Sequence, residues 1–438
     1  MTPARQSDGA AAAVLRQLAN GVQLLVLPLP HLATACVSVF VRAGSAHESR
    51  RLNGVSHFVE HMVFKGSTTR DARQINLDAE RLGCEVDAHT DKDHTAFHLR
   101  GMAQHAGEFL RQLGDLLAAP GFPEAELERE RQVLLHEHTE VDEDPMATAY
   151  RLFDRACFGN HAAAQPVIGT RRNIASLTRA DLAGWVRRRY GGANVVVGVA
   201  GAVDVDAVLR DAEAAFGALA PGEPTPLTAP LWHGGFGSRR LAGSGQTHLV
   251  LGFPLPALAD SDAAGDPTGE VAAALFGEGM SSPLMERIRE QRGLVYYAAC
   301  AADVGMAGAQ FVIEASTAPQ TLPEVLQETL KLLAEQAAAV APTELERARN
   351  QIAVRWLRAH ESPTRRLEES ALAMFAHGRL PQPAERMARL QALQVEDLRA
   401  AYERMLSAPP ALALVGRLPA GAVEQARGLL AGALARST

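Results

Sequence analysis

Cysteine is scarce and scattered. The chain has four in 438 residues, Cys36, Cys84, Cys157 and Cys300, far apart and with no CxxC pair. That spacing excludes a disulfide framework and a cysteine-based zinc site, leaving reduced and mostly buried thiols as the expectation. Long apolar runs are missing as well. None approaches the ~18 residues of a membrane helix, and the N-terminal run AAAVL is shorter than the ~7–15 residues of a signal-peptide core. A cytoplasmic protein without a membrane partner is therefore expected. Positive charge is in deficit, with 43 Lys and Arg against 50 Asp and Glu and a net charge of −7. This balance argues against non-specific nucleic-acid binding and against an anionic membrane surface. The glycine-rich stretch GGFGSRRLAGSGQTH, residues 234–248, lacks the GK[ST] ending of a phosphate loop and reads as a flexible connection before a strand. There is no low-complexity segment beyond alanine-rich helices.

The composition that is present, 47% hydrophobic and 21% charged, is that of an ordinary globular protein, long enough to bury a substantial core. PGEPTPLTAP, residues 221–230, carries four prolines near the midpoint and reads as a linker. The halves on either side repeat. Leu177, Asp181 and Leu182 recur as Leu393, Asp397 and Leu398, each 216 positions later. In both halves a capped helix is followed by a turn, an apolar strand (VVVGVA or LALVG) and another helix. A repeat of half the chain indicates duplication, since solenoid repeats run ~20–50 residues. The expected fold is α+β: two homologous mixed domains of sheet plus helices, spanning 1–220 and 231–438 and joined by 221–230.

The first half opens with two expected strands in GVQLLVLPLPHLATACVSVFVRAGS, followed by a helix carrying HFVEH, residues 57–61. A second helix is expected around INLDAERLG, then two strands in CEVDAHTDKDHTAFHLRGM with a turn near Asp91 to Asp93. Successive helical residues rotate by ~100°, which puts His57 and His61 ~40° apart on one face and Glu60 ~60° from His57. Both imidazoles can then reach one cation, with Glu60 placed to accept a proton from a metal-bound water. The order HxxEH is the inverzincin arrangement. A catalytic zinc needs a third protein ligand and an open position. The helical stretch ELERERQVLLHEHTEVDEDP offers Glu130 and Glu137, two turns apart on one face. One can ligate while the other stands behind a histidine. Val133, Leu134 and Leu135 are expected to anchor this helix, and His136 and His138 are rival ligands pointing ~100° away from Glu137.

GVSHFVEHMVFKGS followed by ERERQVLLHE resembles the pitrilysin, insulysin and mitochondrial processing peptidase family. The resemblance extends to VRAGSAHES, PVIGTRRNIASLTRADL and FGEGMSSPLMERIREQRGLVYYAAC, and so covers nearly the whole chain. It implies zinc ligation by His57, His61 and Glu137, Glu60 as general base and Glu130 as supporting acid. Arg289 and Tyr296 match the family's arginine–tyrosine pair. The family usually has Asn-Ala-x-Thr on the strand that pairs with substrate backbone. This chain has Asp87, Ala88, His89 and Thr90, which puts substrate preference in question. His89, His94 and His98 are either cleft residues or, for the latter two at least, solvent-facing strand positions.

The implied function is a zinc endopeptidase, one Zn2+ per chain, cleaving short or unfolded peptides in a chamber built from two chains. Glu60 would move the proton, Tyr296 would stabilise the oxyanion, and Arg289 would hold a substrate carbonyl or the tyrosine. Because both motifs lie on one chain, a homodimer is favoured over a heterodimer with a related chain. Other readings are a non-catalytic assembly subunit, a partner in processing the pyrroloquinoline quinone precursor peptide, and a zinc hydrolase of non-peptide amides.

Overall fold

The computed structural model describes residues 13–262 and 265–434, so most of the N-terminal stretch weighed as a signal sequence lies outside the described residues. Among the described residues eleven strands form two sheets. The first contains β1 (Val14–Gln17), β2 (Gln23–Pro28), β3 (Thr34–Val41), β4 (Glu85–Thr90), β5 (Thr95–Met102) and β6 (Val195–Gly201). The second contains β7 (Gly235–Arg240), β8 (Thr247–Leu255), β9 (Val295–Val304), β10 (Ala309–Thr317) and β11 (Ala411–Gly416). Their orders are β1-β2-β6-β3-β5-β4 and β7-β11-β8-β10-β9. Apart from β1, the second repeats the first strand for strand. It repeats the one parallel pairing too, β2 with β6 and β7 with β11. The duplication read from the leucine and aspartate spacing is thus also a duplication of topology. Asp181 and Asp397, the aspartates of that repeat, each complete a capping box, with Thr178 and with Gln394.

The chain forms two compact units, and they are not a simple cut at 221–230. One comprises Met1–His136, Pro166–Leu227 and Ala359–Phe375; the other comprises Glu137–Gln165, Thr228–Arg358 and Ala376–Thr438. The reason lies in the central strands. Every residue of β6 and of β11 is buried, so each sheet is covered on both faces. In the first unit one cover is the helix Pro363–His377, contributed by the second half of the sequence. Gly198 marks its approach to β6, because a Cβ there would lie 2.8 Å from Leu367 Cδ2. In the second unit the helix Pro145–Phe158, contributed by the first half, packs Ala149, Phe153 and Cys157 on Val250, Ala413 and Val415. The other face of that sheet builds a larger core with Leu412, Leu414 and Phe311 against Phe276 and Tyr402. Among the described residues no helix is long and apolar enough to cross a membrane, and the four cysteines are free.

Candidate metal centre

The helix Val55–Val63 buries Val55, Phe58, Val59, Met62 and Val63, which leaves His57, Glu60 and His61 on its remaining, partly exposed face. Its N-terminus has no cap of its own, since Gly54 stands there with a left-handed φ of 99°. Buried Glu48 does the capping instead. Its Oε2 accepts from the Gly54 N–H at 2.7 Å and from Asn53 Nδ2 at 2.9 Å, and its Oε1 accepts from the Ser56 N–H at 2.8 Å. Burial pushes the Glu48 carboxyl up to about 7, against the pull of these hydrogen bonds. Gly54 also meets Gly169 backbone to backbone: a Cβ on Gly169, whose φ is +82°, would lie 2.6 Å from Gly54 Cα. The segment PVIGTRR therefore braces the start of this helix, with Asn173 Nδ2 donating to Asn53 O at 3.0 Å.

The rings of His57 and His61 face each other edge-on with centroids 4.7 Å apart. Burial, and then the neighbouring His61, push His57 down to about 3, so it remains the neutral imidazole that a metal requires. His61 Nδ1 is 3.1 Å from Glu130 Oε2, and Lys65 Nζ is 2.7 Å from Glu130 Oε1. Burial would raise the Glu130 carboxyl, but these two partners hold it below the usual range. A carboxylate on Nδ1 fixes the proton there and leaves the Nε2 lone pair for a metal. The helix Glu124–Glu143 carries both Glu130 and Glu137. Ligand atoms of His57, His61 and Glu137 all lie within 4.8 Å of one another. Two imidazoles and one carboxylate, with a carboxylate behind one imidazole, are the kind of donor set that a catalytic zinc site with an open position uses.

Two family profiles match the chain: "Insulinase (Peptidase family M16)" over residues 28–171 and "Peptidase M16 inactive domain" over residues 176–352. It is 28% identical over 416 residues to an uncharacterized zinc protease of Rickettsia felis, covering 92% of this chain and 97% of that one. It is 30% identical over 325 residues to an uncharacterized zinc protease of Mycobacterium leprae, covering 73% of this chain and 72% of that one. This chain belongs to peptidase family M16. Its fold matches the crystal structure of a protease from Helicobacter pylori with a TM-score of 0.85 at 19% identity, over 93% of this chain and 100% of that one.

The remaining M16 positions expected from sequence distribute as follows. Glu60 Oε2 accepts from the Thr90 hydroxyl at 2.8 Å. β4 is the edge strand of its sheet, and alternation puts Ala88 and Thr90 on one face and Asp87 and His89 on the other. The four residues expected to line one substrate strand therefore divide between two faces. Asp87 Oδ2 pairs with Arg100 Nη2 at 2.7 Å, so its charge is balanced on the face away from Thr90 and Glu60. His94 and His98 are 2% and 1% exposed, which corrects the solvent-facing alternative. The physical cause is the helix Pro363–His377, which covers that face and brings Glu368 to within 3.2 Å of His89 Nε2. His98 Nδ1 pairs with Ser38 Oγ at 2.8 Å.

On the Glu124–Glu143 helix the anchoring residues are Leu127 and Leu134, whereas Val133 is 49% exposed, contrary to expectation. His136 is exposed, and His138 turns to Asp142 with Nδ1 3.4 Å from Oδ2. In the second unit the Arg289 guanidinium carbon stands 5.9 Å from the centre of the Tyr296 ring, and that tyrosine is 83% exposed. Sequence reasoning missed Glu48, Lys65 and Glu368. A glutamate six residues before a helix-starting glycine is a weak signal, and nothing local marks Glu368, which acts 279 positions away from His89.

Proposed function

We propose that this M16 chain is a zinc-dependent endopeptidase, with His57, His61 and Glu137 holding the ion and Glu60 serving as general base. The observation that carries this reading is the convergence of the three donor side chains within 4.8 Å of one another, on the two helices that also carry Glu60 and Glu130. Zinc held there supplies Lewis acidity toward water and toward a scissile carbonyl. Glu60 takes the proton of the attacking water and returns it to the leaving amine. The Thr90 hydroxyl holds one oxygen of Glu60 in a fixed direction, and Glu130 holds the ring of His61.

An extended peptide adds to the open edge of β4 through backbone hydrogen bonds, which gives affinity with little sequence preference. Arg289 and Tyr296 keep the roles implied by the family resemblance, holding a carbonyl and donating to the oxyanion, in a chamber assembled from two chains. The exposure of Tyr296 is consistent with a phenol that meets substrate. The test is peptide hydrolysis. The purified protein is assayed on a panel of quenched fluorescent peptides before chelation, after chelation and after zinc is restored. Cleavage lost on chelation and regained with zinc is the expected result. Cleavage indifferent to chelation, or none from a zinc-loaded protein on any unfolded peptide, overturns the proposal.

A further inference from the structure

We propose a second divalent-cation site in the first unit, built from His89 on β4, His94 in the turn between β4 and β5, and Glu368 on the helix Pro363–His377. It shares no ligand with the first centre and does not rest on the peptidase reading. One ligand atom from each of the three residues lies within 4.8 Å of the others. Glu368 Oε1 is 3.2 Å from His89 Nε2 and 3.6 Å from His94 Nε2. Two donors held ~2.0–2.1 Å from one tetrahedral ion are roughly 3.3–3.4 Å apart, and the two separations bracket that value.

The second observation is His94 itself. It is 2% exposed, and among the described residues neither of its buried ring nitrogens has a hydrogen-bond partner. At 3.6 Å the approach to Glu368 is too long to count as one. An unpartnered imidazole in a buried position is costly. A simple ion pair between His89 and Glu368 would leave that cost in place, whereas a cation taking both Nε2 lone pairs relieves it at His94 Nε2. His98 is committed to Ser38 and stacks on His89, with centroids 5.4 Å apart at 22°, so it stiffens the site without ligating.

Two imidazoles and one carboxylate select a first-row transition ion, zinc above all, over calcium or magnesium, which take oxygen ligands. With three protein donors the fourth position belongs to water. The ion staples the helix Pro363–His377 to the β4–β5 hairpin. It thereby fixes the strand whose next residue, Thr90, holds Glu60.

Metal stoichiometry tests this directly. The full chain is stripped with chelator, reloaded with Zn2+, desalted and analysed by plasma mass spectrometry, with circular dichroism to confirm folding. Two equivalents per chain are expected for the unaltered protein. One is expected for Glu368→Gln and for His89→Asn, and one for His61→Ala, which impairs the first centre alone. The ion retained by His61→Ala raises its Tm, and the double variant His61→Ala/Glu368→Gln loses both the ion and the rise. A single equivalent in the unaltered protein that disappears in His61→Ala overturns the second site while leaving the first intact. So do two equivalents that persist in folded Glu368→Gln and His89→Asn.

Discussion

Thr90 donates its hydroxyl to Glu60 Oε2 at 2.8 Å, across from an edge strand to the helix that carries both histidines. The same strand turns His89 to its opposite face, against Glu368. One short strand thus orients the proposed base on one side and is itself pinned on the other. A displacement of β4 would be felt at Glu60 without any change in the proposed zinc ligands.

Glu130 is proposed to act through His61, so its removal should be read in metal affinity rather than in a missing ligand. Glu130→Ala is expected to weaken zinc binding by about 10–100-fold, the usual effect of losing a carboxylate behind a ligating histidine. Competition with a chromophoric chelator measures this. Unchanged affinity would mean that the 3.1 Å contact with His61 Nδ1 does not tune the ligand.

Glu48 satisfies three donors at the buried start of the Val55–Val63 helix. Glu48→Ala leaves them unpaired, at about 1–3 kcal/mol for a buried polar group, so urea unfolding should show a loss of at least ~2 kcal/mol. Glu48→Gln, which keeps acceptor oxygen in place, is expected to lose less. Equal stability of all three proteins would contradict the capping role.

Gly169 is fixed by its φ of +82° and by backbone 2.6 Å from any Cβ placed there. Gly169→Ala should therefore destabilise the protein by at least ~1–2 kcal/mol and loosen the metal helix that Gly169 abuts. Thermal melting of the zinc-free protein checks it. Gly83, which has a positive φ of 62° but open space around it, is the control expected to lose less.

Burial depresses several histidines, among them His47 to about 4, His57 to about 3 and His98 to about 4. The unfolded chain takes up their protons near pH 6.5, and the folded chain only near 3 to 4. The stability they contribute is complete above about 6.5 and is lost as pH falls toward 4. Glu48, raised to about 7 by burial, works in the opposite direction between about 7 and 4.5, but it is one group against several histidines. The Tm of chelated protein should therefore decline from pH 6.5 to 4. A flat or rising Tm over that range would contradict the buried, neutral assignment.

The grouping of His57, His61 and Glu137 was legible because its signals are local. HFVEH packs two proposed donors and the proposed base into five residues, and Glu130 and Glu137 share a helix face through a seven-residue spacing. The duplication was legible through Leu177, Asp181 and Leu182 and their partners 216 positions on. What escaped depends on distant parts of the chain. The exchange of the helices Pro145–Phe158 and Pro363–His377 between the compact units leaves no local periodicity. That exchange is what buries His94 and His98 and brings Glu368 to His89. Val133 escaped for a simpler reason: three consecutive apolar residues on a helix cannot all face one core, and Leu134 took the place.

The most direct test of the central claim compares zinc-loaded Glu60→Gln with the unaltered protein on one quenched peptide, with bound metal measured in both. Equal zinc at the first centre with turnover reduced by about 10²–10⁴-fold is the result predicted for a general base. Equal zinc with undiminished cleavage would contradict it.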